Sequence, residues 1–336
     1  MSTERSRRIR SWVIIILTNV FSLVFLAWAL YKADLPRIWG EIRRMHWGWV
    51  TLAAATDVMV YLLHGWRWRL MLRPIQRIPY LQFVRAIYAG LYANEVVPLR
   101  AGEVIRCFLL SRSSSLPISV TFASALIERI FDGIWLMAFF LLALQVGHLP
   151  RILVHGGYLL GVVIVLASLV LGYGMYAREQ SITLFFDISI PAWFNTLIED
   201  LHLIGHSRFL YYAFFVSGLY LIAQVAPIYA VVRAYNLHVP FVTSFTMMVL
   251  LRLSAVVPQA PGNLGSFQWV AARTLMLFGV LQAHAYRFSI VLWSILTLPL
   301  IAVGFVVVLF AGVSMSHLHR QATSAASDTL NPETGP

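Results

Sequence analysis

Charged residues are scarce in this 336-residue sequence. Asp, Glu, Lys and Arg together make up 12% of it, whereas 60% of the residues are apolar. Soluble domains carry about twice that charged fraction. The apolar residues also come in blocks of about 20, the length that a helix needs to cross roughly 30 Å of hydrocarbon. The sequence therefore predicts an all-α polytopic membrane protein.

Cysteine and the common catalytic motifs are nearly or wholly missing. Cys107 is the single cysteine, which excludes an intrachain disulfide and a thiolate metal cluster. No GxGxxG, GxxxxGK[ST], GxSxG or HExxH motif occurs, so neither a nucleotide site nor a common hydrolase site is indicated. His202 and His206 stand four residues apart, but two histidines alone do not make a metal site, and we expect none there. We expect no catalytic residue, no metal and no cofactor.

Lysine is almost absent, because Lys32 is the only one and arginine supplies nearly all of the positive charge. The formal net charge is +11, but the arginines lie at the ends of apolar blocks or inside them. This distribution is typical of membrane proteins and argues against a nucleic-acid partner. Arginine also binds phosphate through a planar two-pronged fork, which lysine lacks.

The apolar blocks predict about six transmembrane helices. They span residues 12–30, 49–70, 118–146, 152–176, 209–232 and 285–313. Apolar side chains repeat with helical spacing over 191–206, which predicts an amphipathic helix in the membrane interface. We expect the basic stretch 32–44 to be a loop and the polar segment 321–336 to be a disordered cytoplasmic tail.

Two shorter apolar stretches end at prolines. Residues 81–97 precede Pro98 and residues 242–257 precede Pro258, and each stretch is a few residues short for a comfortable crossing. A helix that enters the bilayer, breaks and returns has this pattern. We therefore predict two broken re-entrant hairpins, near 81–110 and 242–279.

The two broken segments are similar in sequence. VVPLRAG at 96–102 matches VVPQAPG at 256–262, and the same displacement of 160 positions takes Arg73 onto Arg233. If both hairpins return to the side that they entered, the two halves run in opposite directions through the membrane. The sequence thus predicts an inverted repeat, an architecture that recurs in transporters. Its halves are about 47–146 and 208–313, within a single flippase-like membrane domain of residues 1–320.

The basic residues predict the orientation of the chain. With the N-terminus inside, the segments predicted to be cytoplasmic hold 11 Lys and Arg residues, and the opposite segments hold 6. Positive residues concentrate on the cytoplasmic side of membrane proteins. We expect a multi-pass protein of the inner (cytoplasmic) membrane with both termini in the cytoplasm.

Charged side chains within or beside the apolar blocks are the strongest functional signal. Each costs about 2.5–3.5 kcal/mol at the centre of a transmembrane helix, so it needs a partner or a wet cavity. The residues concerned are Arg100, Glu103, Arg106, Glu128, Arg129 and Asp132. Two hypotheses stay open: a neutral cluster that locks helices together, or a polar pathway for a ligand. Asp57 is a lone carboxylate in block 49–70, and its expected partner is a buried arginine.

The pathway hypothesis gives the two signs of charge different roles. Arg100 and Arg106 would grip a phosphate, while the acids would balance these arginines, bind a cationic headgroup moiety or carry a coupling proton. Asn94 and Gln268 would cap the backbone groups that the breaks set free. The candidate substrate-binding residues are Asn94, Arg100, Glu103, Arg106, Glu128, Arg129, Asp132, Pro258, Gly262 and Gln268.

These motifs resemble a known family. The segment 94–106, the pattern Glu128-Arg129-x-x-Asp132 and the segment 258–267 look like the lysylphosphatidylglycerol synthase transmembrane family, also called flippase-like. The resemblance implies an integral membrane domain that, in the better-known members, translocates aminoacylated phosphatidylglycerol between leaflets. Those members also carry a soluble synthase domain, and we do not expect this polypeptide to aminoacylate lipid. Gln268 stands where the family often has an acidic residue.

Three functions remain open on these observations. The first is a flippase-like protein that binds or translocates an anionic (phospho)lipid or a lipid-linked headgroup, with that lipid as its partner and a homodimer also allowed. The second is a membrane-embedded enzyme or accessory subunit in lipid or glycan biosynthesis. The third is a small-anion or ion transporter. A side opening between helices would favour the first function, and a closed water-lined vestibule would favour the third.

Overall fold

The described part of the protein is helical throughout. In a computed structural model, the description covers residues 31, 35–96, 101–146, 151–176, 207–255 and 261–310. The helices over these residues are α1 (Leu35–Arg43), α2 (Trp47–Leu72), α3 (Tyr80–Val96), α4 (Gly102–Ser114), α5 (Ile118–Val146), α6 (Arg151–Tyr176), α7 (Arg208–Ala223), α8 (Val225–Ala234), α9 (Phe241–Ser254), α10 (Ser266–Leu277) and α11 (Gln282–Phe310). No strand occurs among them, so the all-α prediction is confirmed there.

Most helix ends fall close to the ends of the predicted blocks. The block 118–146 coincides with α5, and α2, α6 and α11 differ from their blocks by three residues or fewer at each end. Apolar runs of this length favour helix, because a helix satisfies its own backbone groups inside an apolar medium. The predictions for residues 12–30, 191–206 and 321–336 lie outside the described residues.

One sequence prediction needs refinement and another needs correction. The block 209–232 corresponds to the span-length stretch Arg208–Ala234, which is interrupted at Gln224, where α7 ends and α8 begins. Pro227 has no N–H to donate to the carbonyl of Ala223, so a straight helix is disfavoured there. The basic stretch that we expected to be a loop contains α1. Glu41 of that helix is anchored by Arg287 of α11, whose Nε lies 2.7 Å from Glu41 Oε1.

Both predicted helix breaks are present, and each is capped by a side chain. The first separates α3 from α4, and Asn94 Oδ1 accepts a hydrogen bond from the Gly102 N–H at 2.9 Å. The second separates α9 from α10, where Gln268 Oε1 accepts from the Gly265 N–H at 2.7 Å. The capping that the sequence predicted for Asn94 and Gln268 is therefore confirmed.

The two halves have the same order of elements. Each consists of a long helical stretch (α2, or α7 with α8), a broken pair (α3–α4, or α9–α10) and a 29-residue helix (α5 or α11). The 29-residue helices are exchanged, because α5 packs on α7 and α9 while α11 packs on α2 and α3. Every such contact in one half thus has its counterpart in the other, as expected for two copies of one unit.

Large apolar side chains cover the outside of this helical assembly. Leu159, Leu166 and Leu169 of α6 are more than half exposed, as are Leu309 and Phe310 at the end of α11. By length and composition, the stretches Arg208–Ala234 and Gln282–Phe310 could each cross a membrane. An apolar surface of this kind is costly in water and favourable against lipid.

A close approach of two glycines positions the first broken pair. A Cβ on Gly102 would overlap the carbonyl oxygen of Gly90 in α3 and lie 2.5 Å from Asn94 Oδ1. We expect Gly102→Ala to separate α3 from α4 and to destabilise the protein by about 3 kcal/mol, the upper part of the usual range for overpacking. Thermal unfolding of the purified protein in detergent measures this effect.

Gly156→Ala provides the matched control. Gly156 lies within α6 and has nothing within 4 Å of an added Cβ, so alanine should leave the melting temperature unchanged or raise it slightly. Equal melting temperatures for the two variants would show that the approach of α3 to α4 is not tightly packed.

Candidate functional site: a buried charge cluster and a polar cavity

A carboxylate in the middle of α5 gathers three basic side chains around it. Glu128 is fully buried, and its Oε1 contacts Arg67 and lies 2.5 Å from His64 Nε2. Its Oε2 lies 2.6 Å from Arg106 Nη2. His64 and Arg67 belong to α2 and Arg106 belongs to α4, so this one carboxylate joins three helices. A buried charge is tolerated when it is paired and hydrogen-bonded in this way.

Arg67 is the most enclosed of these basic groups. Its side chain is fully buried, forms ion pairs with Glu128 and Asp132 of α5, and donates to Ser217 Oγ of α7 at 3.1 Å. The guanidinium carbon also lies 4.8 Å from the centroid of the Tyr220 ring. Arginine keeps its charge in proteins and offers five N–H donors in a planar fork. This residue therefore binds α5 and α7 to α2.

Arg106 is likewise occupied on every side. Its Nε donates to Glu103 Oε2 at 2.9 Å, its Nη2 binds Glu128, and its Nη1 lies 3.1 Å from His64 Nε2. The guanidinium carbon stacks 4.8 Å from the Trp68 ring centroid. Because the side chain is only 3% exposed, a phosphate could reach it only by displacing these partners.

The cluster opens to the outside at one edge. Glu103 and Arg129 form an ion pair there, with side chains that are 40% and 52% exposed. Together the cluster, which we define as Arg67, Glu103, Arg106, Glu128, Arg129 and Asp132, holds three arginines and three acids, and its formal charge is zero. This balance supports the hypothesis of a neutral cluster that locks helices together.

The sequence analysis missed Arg67, a member of the cluster, and His64, which contacts Glu128 beside it. Arg67 and Arg69 stand near the end of the apolar block 49–70, where basic residues are typical of a helix leaving the membrane. In α2, however, His64, Arg67 and Trp68 share one buried face, whereas Trp66 and Arg69 are exposed. The spacing of three and four residues indicates that His64, Arg67 and Trp68 share one side of the helix, but it does not indicate that this side is buried.

A second polar site lies between the two helix breaks. It is a cavity of about 140 Å³, which is large enough to hold water. The polar and aromatic side chains that define it are Asp57, Tyr61, Glu95, Gln224, Arg252 and Trp293. They come from both halves of the chain. We call this space the central cavity.

The two helix breaks meet at one wall of the central cavity. Trp293 Nε1 of α11 donates to the Gly262 carbonyl at 2.7 Å and so fixes the second break. Gly262 has φ +68°, a conformation that favours glycine, and an added Cβ would lie 3.0 Å from Glu95 Oε2 at the end of α3. The end of the first broken helix thus abuts the second break.

The polar groups of the central cavity are incompletely paired. Arg252 Nε donates to Gln224 Oε1, and its guanidinium also reaches the Tyr61 hydroxyl. Asp57 is 7% exposed and Gln224 is 5% exposed, yet Asp57 Oδ2 and Gln224 Nε2 have no hydrogen-bond partner. Buried polar atoms are nearly always paired, so an orphaned donor and an orphaned acceptor facing one space indicate a place for a ligand or water.

The structure separates the candidate residues that the sequence had grouped. Glu103, Arg106, Glu128, Arg129 and Asp132 lie in the charge cluster. Asn94 and Gln268 cap the breaks, and Gly262 lines the central cavity. Arg100 and Pro258 lie outside the described residues. A role in substrate binding remains a prediction for all ten.

Comparison with known proteins identifies the family. The sequence profile of the lysylphosphatidylglycerol synthase TM region matches residues 14–323. The chain belongs to this family. The match covers both breaks, the charge cluster and the central cavity, so the resemblance inferred from the motifs is confirmed. This is a family of membrane proteins, which places the apolar outer surface against lipid.

Two curated relatives are similar over most of their length. Both are UPF0104 membrane proteins of Methanothermobacter thermautotrophicus. One is 26% identical over 262 residues, covering 73% of this chain and 78% of the relative. The other is 23% identical over 313 residues, covering 82% of this chain and 88% of the relative. Their names describe membrane proteins and state no activity.

The central place of Arg67 generates a prediction about stability. Arg67→Gln leaves Asp132 and one oxygen of Glu128 without their cation, and removing one partner of a buried ion pair costs about 3–5 kcal/mol. We expect a loss of that size, measured by unfolding of the detergent-purified protein. Arg69→Gln, two residues away on the exposed face of α2, should change stability by no more than about 0.5 kcal/mol. Similar losses in the two variants would contradict a locking role for the cluster.

Proposed function

We propose that this protein binds an anionic (phospho)lipid or a lipid-linked headgroup and moves it across the cytoplasmic membrane. The observation that carries the proposal is the central cavity, a polar space with an arginine at the junction of two helix breaks. In a family of membrane proteins, a polar site of this kind at the meeting point of broken helices has the location of a transport site.

Arg252 is the residue that we assign to the phosphate. Its partners Gln224 and Tyr61 carry no formal charge as an amide and a phenol, whereas Arg67 and Arg106 are each held by two carboxylates. A phosphate can therefore add to Arg252 without displacing an ion pair. The guanidinium fork suits this ligand, because it donates two parallel hydrogen bonds to one anion.

The outer surface accounts for the lipid part of the proposal. A headgroup can occupy a polar cavity while its acyl chains remain in the bilayer, provided that the protein presents an apolar exterior beside the cavity. Leu298 and Phe305 of α11 are about half exposed, and α11 also supplies Trp293 to the cavity wall. The same helix thus borders the cavity on one face and lipid on another.

The matched halves support a mechanism of alternating access. We infer six membrane spans and two re-entrant broken pairs, with the second half inverted relative to the first. Exchange of the helices α5 and α11 between the halves would let one half rock against the other around a central site, as in transporters with inverted repeats. We place both termini in the cytoplasm, following the basic residues.

Inversion can be tested at two equivalent loops. Arg77 follows α2 and His238 follows α8, and both side chains are exposed. Single cysteines at these positions, in a Cys107→Ser background, would be treated with a membrane-impermeant maleimide. In intact cells His238→Cys should be labelled, while Arg77→Cys should be labelled only after the membrane is opened. Labelling of both positions from the same side would exclude the inverted repeat.

The transport function can be tested at Arg252. Purified protein in neutral lipid nanodiscs would be titrated with fluorescent phosphatidylglycerol and with fluorescent diacylglycerol, which lacks phosphate. We expect Arg252→Gln to weaken binding of phosphatidylglycerol about tenfold or more, because a hydrogen bond to a charged group contributes about 1.5–3 kcal/mol. Arg252→Lys should be intermediate, because it keeps the charge and loses the fork.

Two comparisons make the outcome decisive. Arg233→Gln at the exposed end of α8 should bind like the unmodified protein. Inorganic phosphate should compete only weakly, and competition as strong as that of the lipid would favour transport of a small anion instead. Equal binding of phosphatidylglycerol and diacylglycerol, with no effect of Arg252→Gln, would overturn the proposal. Leaflet transfer in proteoliposomes, read with an impermeant quencher, separates translocation from binding.

A further inference from the structure

Asp57 differs from the acids of the charge cluster. Glu128, Asp132 and Glu103 each form an ion pair with at least one arginine. Asp57 lies in the middle of α2, is 7% exposed, and has one carboxylate oxygen without any hydrogen-bond partner. A single unpaired carboxylate at this depth costs several kcal/mol as an anion, so its charge state responds to whatever lies beside it.

Among the residues that the structure describes, the surroundings of Asp57 contain one positive charge and one other acid. Within α2, Tyr61 lies one turn away, and α3 contributes Tyr88 and Glu95. The junction of α7 and α8 contributes Gln224, and α9 contributes Arg252, whose charge acts on Asp57. Where α11 lines the cavity, it contributes the non-titrating side chains Trp293 and Thr297.

A proton is the ligand that suits this arrangement. Among the described residues, no group of three or more His, Cys, Asp or Glu side chains is placed to hold a metal ion. Protonation removes the charge of Asp57 and gives it an O–H donor. Unlike a metal ion, a proton needs no set of surrounding ligand atoms. Protonation also removes a negative charge that interacts with Arg252.

We propose that Asp57 takes up a proton from solution and that this proton and the headgroup phosphate bind to the central cavity together. A phosphate on Arg252 places negative charge beside Asp57 and favours its protonated form. By reciprocity, protonation of Asp57 strengthens phosphate binding by the same factor. The second half of this inference rests on the function proposed above, whereas proton uptake by Asp57 does not.

The first experiment tests proton uptake without any lipid ligand. Infrared difference spectra of the purified protein would be recorded between mildly alkaline and mildly acidic buffer. We expect a band of a protonated carboxylic acid in the unmodified protein and its loss in Asp57→Asn, which keeps the shape of the side chain. Arg252→Gln should displace the midpoint of this titration, because it removes a positive charge that acts on Asp57.

Three results in this experiment would overturn proton uptake at Asp57. They are absence of the band in the unmodified protein, persistence of the band in a folded Asp57→Asn variant, and a titration unaffected by Arg252→Gln. Thermal unfolding and gel filtration establish that each variant is folded. If Asp57→Asn does not fold, Arg252→Gln and Asp57→Glu still decide the matter, because each must displace the midpoint of the band.

The second experiment tests the coupling. Affinity for fluorescent phosphatidylglycerol in neutral nanodiscs should rise about tenfold from alkaline to acidic buffer, a typical size for coupled sites. Asp57→Asn should bind with the acidic-pH affinity at every pH. A pH-independent affinity in the unmodified protein, or one that follows sodium concentration, would overturn coupling to a proton. Failure of all lipid binding with an intact infrared titration would instead refute the proposed function and the coupling, and leave the proton site standing.

Discussion

The ion pairs of Glu128 are the constraint on which the rest of this structure depends. A carboxylate at the centre of a 29-residue apolar helix is tolerated only when its charge is met, and Arg67 and Arg106 meet it from two different helices. Because arginine cannot shed its proton to escape burial, each guanidinium must in turn find acids. Glu103 and Asp132 supply them. The relative positions of α2, α4 and α5 follow from this mutual requirement.

Fixing α2 in this way also determines what its other residues face. With Arg67 directed into the cluster, Asp57, nearly three turns earlier, lines the central cavity opposite Arg252. One helix therefore serves two polar centres of different character. The charge cluster is saturated and neutral, which suits a rigid junction. The central cavity keeps an orphaned acceptor and an orphaned donor, which suits a site that binds and releases a ligand.

The capped helix breaks allow a polar cavity to exist inside an apolar protein. A break exposes backbone N–H and C=O groups that lipid cannot satisfy. Asn94 and Gln268 accept two of the freed N–H groups, and Trp293 donates to the Gly262 carbonyl. Exchange of α5 and α11 between the halves then brings the breaks to one place, so polar backbone and polar side chains share a single interior region.

Some features of this protein follow from local sequence patterns, and others follow only from long-range packing. The sequence by itself determined the membrane class, most helix ends, both breaks and the caps at Asn94 and Gln268, because hydrophobic run length, proline and nearby polar side chains act over a few residues. The inward face of α2, the pairing of Arg67 with Glu128 and the opposition of Asp57 to Arg252 were decided by the tertiary structure alone. Each depends on which helices become neighbours, and these partners stand 61 and 195 positions apart. The sequence offers several acidic partners for each buried arginine, and only the packing of the helices determines which acid pairs with which arginine.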